Sequence, residues 1–282
     1  MVMIHPASLE DEKDLRTLCT AVYEDDYVLH HLSAWLKKGG IYVYEQEHQI
    51  KGMIRLTYSR DGQAHLGAIR VHPDCRKQGI GTALTTYCID ICRTHKVRLA
   101  IMDTMPSQAL AEKLGFSHVA TFTYLLRSGS IIEKRERSYQ AVAQSRIVNP
   151  ASALTLLKHS PLYLQNHSLL SSSFTFYTPS VQSLESLLLI ARKNRLAAID
   201  FQIEEALKRA VQIAYTDSDS ALLEAVLHQA AQRRAEEIWA VIPKDEELIT
   251  LLALYNFEPV KWGKTINVFE LHVTCDPTRT GC

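Results

Sequence analysis

The chain has no excess charge of either sign: 31 Lys and Arg residues stand against 31 Asp and Glu in 282 residues. Without a global field, neither a nucleic acid backbone nor an anionic membrane surface is drawn in, so neither is an expected partner. Long apolar runs are missing too. Nothing approaches the roughly 18 residues of a membrane-spanning helix, and Glu10-Asp11-Glu12 interrupts the N-terminus before any apolar stretch forms. These absences predict a soluble, cytoplasmic-type protein. Cysteine is sparse, six in all and never as C-x-x-C. Cys88 and Cys92 share a helical face, but no His or Cys cluster completes a ligand set, so reduced core thiols and no metal are expected.

What the chain does have is length for two domains of about 130 to 150 residues and one stretch dense in constraint, Val71-His72-Pro73-Asp74-Cys75-Arg76-Lys77-Gln78-Gly79-Ile80-Gly81-Thr82. It separates a run that reads as a strand, Ala64 to Val71, from one that reads as a helix beginning at Gly79. Pro73 stops the strand, because it cannot extend a ladder and biases His72 away from helix. Gly79 and Gly81 open the helix without Cβ atoms, so its first amides can approach a bulky anion. Arg76 and Lys77 add positive charge there. A phosphate-binding P-loop would need Lys then Ser or Thr after the second glycine, where Thr82 and Ala83 stand. A dinucleotide fingerprint would need a small residue at Leu84 and gives no part to Pro73 or Arg76.

The string V-x-P-x-x-R-x-x-G-x-G, here Val71, Pro73, Arg76, Gly79 and Gly81, resembles the acyl-CoA pyrophosphate loop of the GNAT superfamily of N-acyltransferases. That resemblance implies a mixed α/β fold, a twisted sheet flanked by helices, and acetyl-CoA as cosubstrate. It implies pyrophosphate binding by Arg76, Lys77, Gln78, Gly79, Ile80, Gly81 and Thr82, with backbone groups of Ile69 and Val71 meeting the pantetheine arm. Leu114-Gly115-Phe116 matches the family's closing helix. Counting back from Gly115 places Thr104 where the family has an Asn that bonds pantetheine, and Ala111 where it has a Tyr that protonates the leaving thiolate. Ala111 has no proton to give; Tyr124, in the strand-like run Val119 to Leu126, is the alternative.

A neutral amine must lose a proton as it attacks, and His65, six residues before Val71, titrates in the right range for a base. Glu24, Asp26, His31 and a water chain are alternatives. The segment Tyr23 to Leu36 concentrates acids, imidazoles and aromatics. Helical spacing puts Leu29, Leu32 and Leu36 on one face and His31 with Trp35 on another. Since the resemblance places the first two helices beside the acceptor, Glu24, Asp26, Tyr27, His31 and Trp35 are candidate acceptor contacts, acids for an ammonium and rings for a π face. The Asp26-Tyr27…Trp35-Leu36 pattern also resembles the histidine N-acetyltransferase group, whose acceptors are free amino acids. The expected activity is direct acetyl transfer to a primary amine of a small molecule; the alternative is a non-catalytic acyl-CoA sensor or scaffold.

The end of the chain repeats the order of the first half. Aligning Phe257 with Phe116 gives 257 − 116 = 141, which also sets Ile242 on Ile101 and Leu251 on Leu110. An internal duplication accounts for this. The same offset replaces Arg76 by Asp217, Gly79 by Ser220 and Gly81 by Leu222, so the second copy has lost its pyrophosphate loop. The expected organisation is a catalytic GNAT-like domain at 1–128, a polar linker at 129–149 carrying one edge strand, and a degenerate GNAT-like domain at 150–282. That second domain is available to extend the sheet, cover the acceptor cleft or form a homodimer.

Overall fold

Residues 2–103, 107–129, 143–204, 206–260 and 263–273 are described in the structure, a computed structural model. Two units form: Met1–Leu99 with Pro106–Ser117 and Phe269–Cys282, and Ala100–Met105 with His118–Val268.

In the first unit, β1 (Val2–Pro6) leads to α1 (Glu12–Val22), α2 (Val28–Lys38), β2 (Ile41–Gln46), β3 (Gln49–Tyr58), β4 (Ala64–Val71), α3 (Ile80–Ile91), the start of β5 (Lys96–Met102) and α4 (Gln108–Lys113). Ser8 and Asp11 make the reciprocal cap that the sequence predicts at the entry to α1. β1 to β4 pair antiparallel in chain order, and β5 then runs parallel to β4. Alternation along β3 separates two faces. Met53 turns to α1, its sulfur 3.7 Å from Cys19 Sγ. Gly52 turns to α3, where a Cβ would lie 2.8 Å from Ile80 and 3.1 Å from Leu84, so only glycine lets α3 settle that close.

The second unit holds β6 (Ser117–Ser128), β7 (Arg146–Ile147), α5 (Pro150–His159), α6 (Pro161–Gln165), a hairpin of β8 (Leu170–Ser172) and β9 (Thr175–Tyr177), α7 (Val181–Leu184), β10 (Leu188–Arg192), β11 (Arg195–Asp200), β12 (Ala210–Thr216), α8 (Ser220–Gln232), β13 (Glu237–Pro243), α9 (Glu246–Ala253), β14 (Glu258–Pro259) and the start of β15 (Thr265–His272). Its strands run β6-β13-β12-β11-β10-β7. The edge strand expected before residue 149 is β7, paired with β10. From the sequence no strand is assigned between 186 and 216, where β10, β11 and β12 lie. Those strands are almost wholly buried, so they show no polar alternation to mark them.

The duplication is visible in the elements. β5 and β13 differ by 237 − 96 = 141 at the start and 243 − 102 = 141 at the end. Each is the parallel partner of the strand before the long helix, β4 or β12. The last strands are exchanged. β6, which closes the first repeat, pairs with β13 from Ser128↔Glu237 to Phe122↔Pro243. The end of β15, Phe269–His272, belongs to the first unit, where Val273 N donates to His95 O and Glu270 joins Arg98. The division expected at 1–128 and 150–282 and these two units are therefore cut at different places. Most of the stretch between the repeats, 130–142, lies outside the described residues.

Candidate active site

The loop after β4 turns through a short 3-10 helix, Pro73–Cys75, and reaches α3 through two left-handed residues, Lys77 at φ 61° and Gly79 at φ 85°. Gly79 is the N-cap and offers no side chain, and the first helical bond runs from Ala83 N to Gly79 O. The amides of Ile80, Gly81 and Thr82 thus have no partner within the helix, and they point out with the positive end of its dipole. Arg76, Lys77 and Gln78 are exposed beside them, while Ile80 is buried and anchors the turn. Gly81 is backed by Leu110 of α4, 3.3 Å from where a Cβ would stand. Three helix-start amides and two cations thus lie side by side, an arrangement of the kind that suits an anion.

The second copy has filled its equivalent. Asp219 caps α8 and accepts from Ala221 N at 2.9 Å and Leu222 N at 3.0 Å, with Arg192 on its other oxygen at 2.8 Å. Asp217 accepts from Ser160, Tyr215 and Leu196 N. Further along, Gln212 occupies the register of His65, since His65 faces Arg98 and Gln212 faces Trp239, and 98 + 141 = 239. Gln212 donates to Ser171, accepts from Ser173 N, and Ser171 donates to Val241 O, so the β8–β9 hairpin closes over β12 and β13.

In the first unit β4 and β5 pair only from Ala64↔Val97 to Leu66↔Leu99, although β4 continues to Val71. Beyond that point β4 carries a bulge. Gly67 faces Arg55 and Arg70 faces Met53, so Ala68 and Ile69 together oppose Ile54, and Ala68 is held at φ 48°. A bulge frees backbone groups from the ladder and re-aims them. Ile69 and Val71 are half-buried here, and the Ile69 carbonyl accepts from Arg70 Nη1 at 3.0 Å.

The acceptor candidates do not form one open wall. Tyr27 and Glu24 are exposed, but Asp26 is buried and held by Arg70 at 2.6 Å. Trp35, 2% exposed, stacks on His31 at 5.5 Å and lies under Arg55, whose guanidinium carbon is 3.8 Å from the ring centre. Helical spacing had separated His31 and Trp35 from the apolar face; the structure turns both inward, because Arg55 of β3 covers the indole.

His65 is also buried, and its proton affinity is pushed down to about 3 by burial first, then by Arg98 and Arg55. Tyr124 belongs to the second unit, where it packs against Phe174 at 5.5 Å and Trp239 at 5.7 Å. Burial, then the Glu237 charge, raises its pKa well above the ordinary phenol value. Thr104 lies outside the described residues. Ala111, at the tyrosine position of the resemblance, is buried on α4. The residues that the sequence reading missed are arginines: Arg55, Arg70 and Arg98, each in a strand and each at most 9% exposed. The only signal for them was a charge breaking an apolar strand pattern. Among the described residues no group of three or more His, Cys, Asp or Glu could hold a metal ion, and no helix is long and apolar enough to cross a membrane.

Comparison with known proteins agrees with this geometry. Residues 9–116 match the Acetyltransferase (GNAT) family. Over 83 residues the chain is 30% identical to mycothiol acetyltransferase of Mycolicibacterium vanbaalenii, a stretch that covers 29% of this chain and 28% of that protein. The match thus spans under a third of that relative. Among solved structures, a protein of Thermoplasma acidophilum assigned as an acetyltransferase superposes with a TM-score of 0.61 at 16% identity, over 96% of this chain and all of that one. A tandem GNAT protein from the clavulanic acid biosynthesis pathway superposes with a TM-score of 0.54 at 12% identity, covering 98% of this chain and 100% of its own. Identities this low speak for the fold. Residues 9–116 thus resemble a domain of the acetyltransferase (GNAT) family, and nearly the whole chain shares its fold with these two solved structures.

Proposed function

We propose that the chain transfers the acetyl group of acetyl-CoA to a primary amine of a small molecule, a free amino acid being one such acceptor. The observation that carries this reading is the uncapped start of α3 with Arg76 and Lys77 beside it, in the copy that matches the family, against the self-capped start of α8 in the copy that does not. In this proposal the amides of Ile80, Gly81 and Thr82 and the side chains of Arg76, Lys77 and Gln78 bind the pyrophosphate. Backbone groups of Ile69 and Val71 align the thioester. The amine nitrogen then forms a bond to the acetyl carbon, the carbon–sulfur bond breaks, and the amine proton leaves to water or an exposed carboxylate such as Glu24. Protonation of the departing thiolate falls to solvent, since Ala111 has no hydroxyl.

The test is release of free CoA thiol from acetyl-CoA, with and without amino acids and polyamines, using Arg76→Glu as the blank. Acceptor-dependent release that vanishes in the variant supports the reading. Acetyl-CoA binding without release for any acceptor favours the sensor, the second reading that Ala111 motivates.

His65 gives a separate expectation. A group whose pKa is about 3 does not titrate between pH 6 and 9, so His65→Gln is expected to leave the shape of the pH–rate profile unchanged across that range. An inflection near pH 6.5 that disappears in the variant would restore His65 as the base.

A further inference from the structure

Arg70 stands between Ile69 and Val71, and its guanidinium reaches in three directions. Nε and Nη2 hold the two oxygens of Asp26 at 2.6 and 2.7 Å. Nη1 donates to the Ile69 carbonyl at 3.0 Å. Its carbon lies 5.1 Å from the centre of the Tyr23 ring and 5.5 Å from that of Tyr27. Asp26 in turn accepts from the amide of Val28, the first residue of α2, at 3.1 Å. One buried side chain therefore ties the connection between α1 and α2 to β4 beside its bulge. Burial opposes the charge of Arg70, but the hydrogen bond and charge of Asp26 outweigh it and hold the guanidinium protonated. What the pair holds in place is open to solvent, since Tyr23 is 40% and Tyr27 46% exposed.

We propose that Arg70 is a positioning residue for the acceptor. Through Asp26 it fixes the faces of Tyr23 and Tyr27 at one distance from the Ile69 backbone, so that acceptor and thioester meet in a single geometry. The inference rests on the acetyltransferase reading above. It also changes the part of Asp26: both carboxylate oxygens are engaged, so Asp26 builds the wall and does not receive the acceptor's ammonium. A planar, two-bond fork has one orientation, whereas a lysine would hold the same charge without it. Misplacement of reacting groups by about 1 Å costs on the order of a hundredfold in rate.

The experiment compares Arg70→Lys and Asp26→Asn in the full chain, using an acceptor that the thiol-release assay identifies. It reads acceptor KM, kcat, the Kd of acetyl-CoA and the melting temperature. In Arg70→Lys, kcat over acceptor KM is expected to fall about tenfold to a hundredfold, while the Kd of acetyl-CoA stays within about twofold. A merely structural role would instead weaken cosubstrate and acceptor in step, and that outcome overturns the proposal. So does an unchanged acceptor KM and kcat. Should either variant fail to fold, the exposed pair Tyr23→Ala and Tyr27→Ala decides: acceptor KM rises if the wall is real and stays put if it is not. A wild-type chain without acceptor-dependent release overturns the acetyltransferase reading and this one with it. An active wild type whose variants keep their acceptor parameters overturns this one alone.

Discussion

Glu270→Gln is expected to lower the melting temperature by roughly 10 °C, more than any surface change in the first unit. Glu270 comes from the last strand of the chain and is 3% exposed. One oxygen accepts from Arg98 Nε at 2.9 Å and the other from Lys96 Nζ at 2.8 Å. Arg98 is itself 1% exposed and reaches Asp61 at 2.7 Å. Taking one partner from a buried ion pair leaves the other charge desolvated and costs about 3 to 5 kcal/mol. Asp61 still faces Arg98, so the lower end applies, and each kcal/mol moves the midpoint of a domain this size by about 2 to 4 °C. Lys96→Met is the control. Its side chain is a third exposed, and a pair of that kind contributes at most about 1 kcal/mol. Equal shifts for the two variants would sink the argument.

The same cluster fixes the sign of the acid response. Burial alone would raise the pKa of Glu270, but hydrogen bonds from Lys96 and Arg98 and their charges lower it on balance. Its stabilisation is therefore present above the ordinary carboxylate range and is lost as pH falls through the depressed folded pKa. His65 acts over a higher window. The unfolded chain takes up its proton near pH 6.5 and the folded chain only near 3, so between those values stability falls with pH, by about 1.4 kcal/mol per unit. Unfolding followed from pH 7 to pH 4 is expected to lose that slope in His65→Gln. The gap between wild type and Glu270→Gln is expected to close only at lower pH.

These charges explain which parts of the molecule could be read from the chain. The loop from Val71 to Thr82 was legible because its constraints are local: Pro73 ends a strand, glycine opens a helix, and each acts within a few residues. The duplication was legible because β5 and β13 keep one spacing along the sequence. Arg70 and Asp26 are 44 residues apart, and Arg98 and Glu270 are 172 apart. Neither pairing has a local signal, and the second exists only because the last strand returns to the first unit. Asp26 looked like an acceptor contact for the same reason. Its sequence neighbours are exposed, and nothing near it announces the arginine that takes both its oxygens. β10 to β12 went unread for a different physical cause, since strands covered on both faces lose the alternation that marks a half-buried one.

Moving the acids of the second copy into the first should separate binding from folding. By the offset of 141, Asp217 and Asp219 correspond to Arg76 and Gln78, so that Asp219, the N-cap of α8, falls one residue before the N-cap of α3, Gly79. In the double variant Arg76→Asp, Gln78→Asp both changed side chains are exposed, so stability is expected to stay within about 0.5 kcal/mol of wild type. The Kd of acetyl-CoA should rise by at least about a hundredfold, because a cation is replaced by an anion and a second anion is placed beside amides that would otherwise meet phosphate. In the second copy Asp219 already sits on the equivalent amides, at 2.9 and 3.0 Å. Calorimetric titration of acetyl-CoA alongside a melting curve reads both quantities on one sample. If affinity survives while the fold is intact, the start of α3 is not where the pyrophosphate lies. The difference between the two copies would then have to be sought in the β8–β9 hairpin, which covers β12 and β13 and has no counterpart between α1 and β2.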